Sequence, residues 1–172
     1  KNEQNEWRVR LMIELENHPK NAHFVTMTYS DESLSKFEQE EALNVASRSI
    51  ELFRKRWCKK YKCGIKHFLI CELGGNDSQR MHLHGILWTE KSKEEVEKVW
   101  NYGFVDYGEF VNERSVNYIV KYIFKIDEKH PDFITKVWTS KGIGQGYAES
   151  EGKYFNKFTG ISTRDYFRMP SG

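Results

Sequence analysis

The sequence predicts an α+β fold, a central antiparallel β-sheet flanked by α-helices, and three observations carry that prediction. Runs rich in β-branched and aromatic residues alternate with longer runs of helical period. After an opening helical segment the order is strand, helix, two strands, helix, strand, helix. The two central runs, 66–72 and 81–88, have Leu73-Gly74-Gly75-Asn76-Asp77-Ser78 between them, turn chemistry that folds one back along the other. At 172 residues the chain is long enough for one good core and short for a second, so 1–172 reads as a single domain.

In order, residues 7–16 carry apolar side chains at 7, 9, 11, 12, 13 and 15, a mixed pattern that fits a short helix running up to His18-Pro19. His23-Phe24-Val25-Thr26-Met27-Thr28-Tyr29-Ser30 is a strand, with Thr26 and Thr28 on one face, most simply a hydroxyl row within the sheet. A long helix is expected over 33–61, from Leu34, Phe37, Ala42, Val45, Ile50, Phe53 and Trp57 at helical spacing. Its end is basic. Arg54, Lys59 and Lys60 there read first as a solvated face that complements the helix dipole, and second, with Trp57 and Tyr61 interleaved, as contacts to a nucleic-acid backbone. A helix over 92–101 starts at Ser92, which forms a capping box with Glu95, and residues 103–111 form a strand. Beyond Lys125, His130-Pro131 marks a break. The glycines around Lys141 make either a tight turn packed on the sheet or a backbone-lined phosphate contact, with the turn favoured. The uncapped start and the close at Pro170-Ser171-Gly172 suggest a fragment of a slightly longer chain at both ends.

Composition narrows the function classes. Twenty-seven basic against 25 acidic residues leave a net charge of +2, so any nucleic-acid binding must come from local clustering. Five Trp, nine Tyr and eleven Phe suit a packed sheet and also the stacking of unpaired bases. Cys58, Cys63 and Cys71 fit no structural zinc spacing and read as reduced thiols of an intracellular protein. No apolar run reaches the length of a membrane span, and a soluble, cytoplasmic protein is expected.

The chemistry gathers on two stretches. In Met81-His82-Leu83-His84-Gly85-Ile86-Leu87-Trp88 the two imidazoles share one strand face, which is half of a metal site. The folded-back strand ends in Glu72, a carboxylate closing the apolar row Phe68, Ile70, and such a group needs a cation or donors. Two satisfied histidines are the plainer account of His-x-His alone; the facing Glu72 tips the balance towards a metal. In the second stretch, 115–125, Val116, Ile119, Val120 and Ile123 form one stripe, and Tyr118, Lys121, Tyr122 and Lys125 lie almost opposite. The two tyrosines stand one turn apart, roughly 6 Å along the axis, each followed three residues later by a lysine. Tyrosines with lysine stems on a solvent face are the simpler reading of either pair; two copies also suit a nucleophile, because a phenol of pKa about 10 needs a nearby cation.

Together, Phe24-Val25-Thr26-Met27-Thr28-Tyr29, Glu72 with His82-Leu83-His84, and Tyr118-Ile119-Val120-Lys121-Tyr122 resemble, in order and spacing, the three motifs of the HUH endonucleases. The doubled tyrosine resembles the two-tyrosine replication initiators of microviruses, small single-stranded DNA phages. Met81 and Leu83 depart from the Pro and Tyr that many relatives carry, which bears on packing and not on ligation. The resemblance implies that Glu72, His82 and His84 hold a divalent ion, Mg²⁺ or Mn²⁺, with Mn²⁺ the tighter on imidazole and Mg²⁺ the more abundant. It also implies that Tyr118 and Tyr122 attack DNA to leave a 5′-phosphotyrosine in rolling-circle replication, with Lys121 and Lys125 stabilising charge. The expected partner is a single-stranded DNA origin, with a host helicase as a further candidate, and the expected setting is a monomer in the host bacterial cytoplasm, apart from any membrane. Three other readings stay open. A non-catalytic origin or single-stranded DNA-binding module would bind without divalent-ion dependence, and a water-using metal hydrolase would leave no covalent adduct. A single-tyrosine HUH transposase or relaxase would not need the second Tyr-x-x-Lys.

Overall fold

The computed structural model describes residues 2–37, 40–74, 80–108, 111–123 and 132–147. Helix α1 (Asn2–Asn17) is longer than the predicted 7–16, because a polar turn with no apolar signal precedes the segment that buries Val9, Leu11 and Leu15. Strand β1 (Ala22–Thr28) follows. The single helix expected over 33–61 is two helices, α2 (Asp31–Ser35) and α3 (Ala42–Tyr61). The Ser30 side chain accepts from the Ser33 N–H and starts α2. Phe37 N–H then donates to the Leu34 carbonyl, and Glu40 N–H to that of Phe37, three residues back rather than four. At Glu41 the backbone is extended, with φ −65° and ψ 146°, so helix begins afresh at Ala42. Leu34 and Phe37 stand three apart, a spacing that a tight turn satisfies as well as a helix does.

Strands β2 (Lys66–Leu73) and β3 (Met81–Trp88) agree with the predicted pair to within a residue, although 75–79 of the predicted turn lie outside the described residues. Helix α4 (Lys93–Trp100) carries the expected capping box between Ser92 and Glu95. Strand β4 (Val105–Tyr107) is shorter than the predicted 103–111, since only these three positions pair with β1. Helix α5 (Glu113–Ile123) holds the two tyrosines, and β5 (Val137–Thr139) is a strand that the sequence reading missed. Among the described residues no helix is long and apolar enough to cross a membrane.

The strands form one sheet in the order β4-β1-β3-β2-β5, with every pairing antiparallel. Period-two alternation sorts its side chains onto two covered faces. One face, with Val25, Met27, Leu69, Cys71, Leu83 and Leu87, packs on α3 and α4 through Val45, Ile50, Phe53, Trp57, Val96 and Trp100. The other, with Phe68, Ile70, Ile86 and Trp88, packs on α1 through Leu11 and Leu15 and on α5 through Val116, Ile119 and Val120. Gly85 lets β2 approach β3, because a Cβ there would stand 2.0 Å from the Phe68 carbonyl oxygen. The glycine turn after Lys141 packs on α1 rather than on the sheet. The buried Glu14 carboxylate accepts from the Gly144 N–H at 2.9 Å and from Lys66 Nζ, and a Cβ on Gly144 would meet Arg10 Cα at 2.5 Å.

Candidate active site

Register brings the predicted ligands together. Glu72 stands directly opposite His82 in the β2–β3 pairing, and His84 lies two residues along β3 on the same face. Glu72 Oε2 is 3.2 Å from His84 Nε2 and 3.6 Å from His82 Nε2, and one ligand atom from each of the three lies within 4.8 Å of the others. Among the described residues this is the group that can hold a metal ion. The three side chains are 26%, 24% and 14% exposed for Glu72, His82 and His84, which is a partly walled cleft rather than open surface.

The far nitrogen of each ring is already engaged. His82 Nδ1 lies 3.0 Å from the Arg80 carbonyl, which can only accept, so Nδ1 carries the proton and the neutral ring offers its Nε2 lone pair. His84 Nδ1 lies 3.0 Å from Thr26 Oγ1, on the β1 residue paired with His84. Such partners orient metal-ligating histidines. Burial alone would raise the Glu72 carboxyl, but hydrogen bonds from His82 and His84 overcome it and hold the group at about 2. In return the Glu72 carboxylate raises His82 above the usual imidazole range, against the effect of its burial.

The tyrosines lie on the same side of the sheet. Phe24, on β1, links the two parts: its ring centroid is 6.3 Å from that of His84 and 6.1 Å from that of Tyr118. Tyr118 is 44% exposed, and its ring stands 4.5 Å from that of Tyr122, which is partly buried against the helical core. Burial, the hydrogen bond and charge of Tyr122, and the charge of Glu72 all push the Tyr118 phenol above its ordinary value. The phenol is therefore within electrostatic reach of the triad and is held protonated until a cation offsets these effects.

Lys121 is exposed on the same helix, and Lys125 lies outside the described residues. The other predicted cations are not gathered at the triad. Arg54, Lys59 and Lys60 are exposed on α3, which covers the opposite face of the sheet and ends near the start of β2. Lys141 is exposed beside Ser140, whose hydroxyl and N–H bond His67, towards the end of β2 remote from Glu72. The sequence reading treated Thr26 as a sheet hydroxyl and gave Phe24 no role. The signal that finds both is their pairing with His84 and Ile86, which needs the β1–β3 register.

Comparison with known proteins agrees with this geometry. Residues 22–127, which include β1, the triad and both tyrosines, match the model of the replication-associated protein ORF2 family. The chain is also 30% identical over 171 residues to the Replication-associated protein ORF2 of Spiroplasma virus 4, covering 83% of this chain and 52% of that relative. It thus spans about half the length of the curated relative it matches. No solved structure matches. With the family match spanning the sheet, the triad and the tyrosine helix, the chain belongs to the replication-associated protein ORF2 family.

Proposed function

We propose that this chain is a replication initiator that nicks and rejoins single-stranded DNA by metal-dependent tyrosine transesterification, as the HUH-type resemblance implies. The observation that carries the reading is one shared face: an exposed Tyr118 lies beside Phe24, which lies beside His84 of the triad. The donor set fits a divalent ion, with two Nε2 lone pairs and one carboxylate oxygen converging while both Nδ1 atoms are bonded elsewhere. An Mg²⁺ or Mn²⁺ ion held by Glu72, His82 and His84 would polarise the non-bridging oxygens of a phosphodiester.

The chain's own residues supply the rest. A phenol of Tyr118 or Tyr122 loses its proton and its Oη forms a bond to phosphorus as the phosphorus–O3′ bond breaks. The proton ends on the released 3′ oxygen, and the 5′ phosphate stays on tyrosine. One phosphodiester replaces another, so the step runs in reverse without a nucleotide triphosphate and the same site rejoins ends. Lys121 and Lys125 supply positive charge to the phenolate or the phosphate. The closeness of Tyr122 to Tyr118 favours two nucleophiles over one, since a second cleavage then proceeds while the first strand remains attached. Arg54, Lys59, Lys60 and Lys141, away from the cleavage point, hold DNA backbone. A single-stranded origin is the substrate, with a host helicase as a further partner.

The test is a denaturing gel of labelled single-stranded oligonucleotides spanning the replicon's own sequence, with and without Mn²⁺. The wild type should give a metal-dependent, denaturant-resistant adduct. Tyr118→Phe with Tyr122→Phe should abolish it, while each single change leaves some. An adduct surviving in the double variant would rule the assignment out.

A further inference from the structure

The row across the sheet that contains the triad continues to an exposed aromatic ring. From β2 outward it runs Glu72, His82 and Thr28, and one step beyond the Met27–Val105 pair it reaches Phe104 at the start of β4. Thr28 N–H donates to the Phe104 carbonyl at 2.8 Å, and Phe104 N–H donates to Thr28 Oγ1 at 2.9 Å, so the backbone of Phe104 is pinned from both sides. Gly103 makes that approach possible, because a Cβ there would stand 2.6 Å from the Thr28 carbonyl oxygen. Val105 is buried in the opposite core, so alternation directs Phe104 to the face of the triad, where it is 78% exposed. Three large apolar side chains are exposed among the described residues, and two of them, Phe104 and Tyr118, border the triad.

We propose that Phe104 is a stacking platform for an unpaired nucleobase of the single-stranded DNA whose scissile phosphate sits at Glu72, His82 and His84. Two strand spacings, about 10 Å, separate the Phe104 backbone from that of His82, which suits a base one or two nucleotides from the cleavage point. Residues 103–108 contain no cation, and the exposed Asp106 shares the face through its pairing with Thr26. A phosphate is repelled from that edge, so it is the base that lies over β4, while the sugar-phosphate backbone tracks the triad. An aromatic ring accepts any base, because every base has a π-face. Phe104 is thus a binding residue that fixes the register of the strand and not a catalytic one.

This inference rests on the proposed DNA-nicking role, and the experiment separates the two. The probe is a fluorescent dT oligonucleotide titrated with wild-type chain, Phe104→Ala, Phe104→Leu and Phe104→Trp in Mn²⁺, beside adduct formation and thermal melting. Phe104→Ala and Phe104→Leu should bind about tenfold more weakly or worse, and Phe104→Trp should bind as tightly as wild type. Melting should stay unchanged, because the ring is exposed. Equal affinity in wild type and Phe104→Ala overturns the proposal and leaves the ring to a protein contact. Full affinity in Phe104→Leu overturns stacking in favour of plain apolar contact. Stacking-dependent binding by a wild type that forms no tyrosine adduct overturns the nicking role instead.

Discussion

At the residue scale the site depends on side chains that touch the proposed ligands rather than the ion. Thr26 Oγ1 holds His84 Nδ1 and leaves Nε2 facing Glu72. Thr26→Val keeps the shape of the side chain and removes that bond, and loss of such a partner typically costs about 10- to 100-fold in metal affinity. Mn²⁺ titration by calorimetry should therefore show weaker binding with little change in melting temperature. Unchanged affinity would mean that Thr26 is only a sheet hydroxyl, as its sequence context alone suggests. The ligands themselves were legible because a period of two puts His82 and His84 on one face and a short turn returns Glu72 to them. Phe24 and Thr26 were not, because their roles depend on the pairing of β1 with β3, strands separated by a helix pair and a further strand. Buried Glu14 was hidden for a related reason: an acid in a helix of mixed pattern reads as solvated until its partners Lys66 and Gly144 are known to meet it.

At the scale of elements, the ligand geometry is set by how closely β2 and β3 lie. Gly85 follows His84, and any Cβ there would press on the backbone of Phe68 and Leu69. Gly85→Ala should push the strands apart, lower the melting temperature by several degrees, and weaken Mn²⁺ binding by moving Glu72 relative to the histidines. Retention of both wild-type stability and wild-type metal affinity would contradict the close packing. Helix α5 shows how far periodicity reaches. Its stripe of Val116, Ile119 and Val120 is buried as predicted, and its tyrosines face away from that core's centre. The division of 33–61 into α2 and α3 was beyond the same reasoning, since apolar spacing does not register an extended residue at position 41. The three-residue β5 offers too few positions for any period to show.

At the scale of the molecule, metal, protons and stability are linked. Without an ion, Glu72 raises His82, so the stabilisation from this pairing is fully present below about pH 6.5 and is lost as pH rises through the raised value. Glu72, held at about 2, keeps its charge well into acid. An ion must displace the proton on His82 Nε2, so its advantage grows with pH. The shift in melting temperature on adding Mn²⁺ should be small near pH 5.5 and several degrees near pH 8. A shift independent of pH, or larger in acid, would contradict ligation by His82. The layering also separates two surfaces. The triad and tyrosines occupy one face of the sheet, and the basic end of α3 covers the other, a division that the sequence, with its near-balanced charge, did not reveal.

The central claim is that a tyrosine of α5 takes up the DNA at the ion held by Glu72, His82 and His84. Mass spectrometry of the chain after incubation with single-stranded DNA and Mn²⁺, followed by nuclease and protease digestion, tests it directly. The expected result is a phosphate-linked nucleotide on the peptide carrying Tyr118 and Tyr122, absent when the metal is chelated. Cleaved DNA beside an unmodified peptide would contradict it and point to water as the nucleophile.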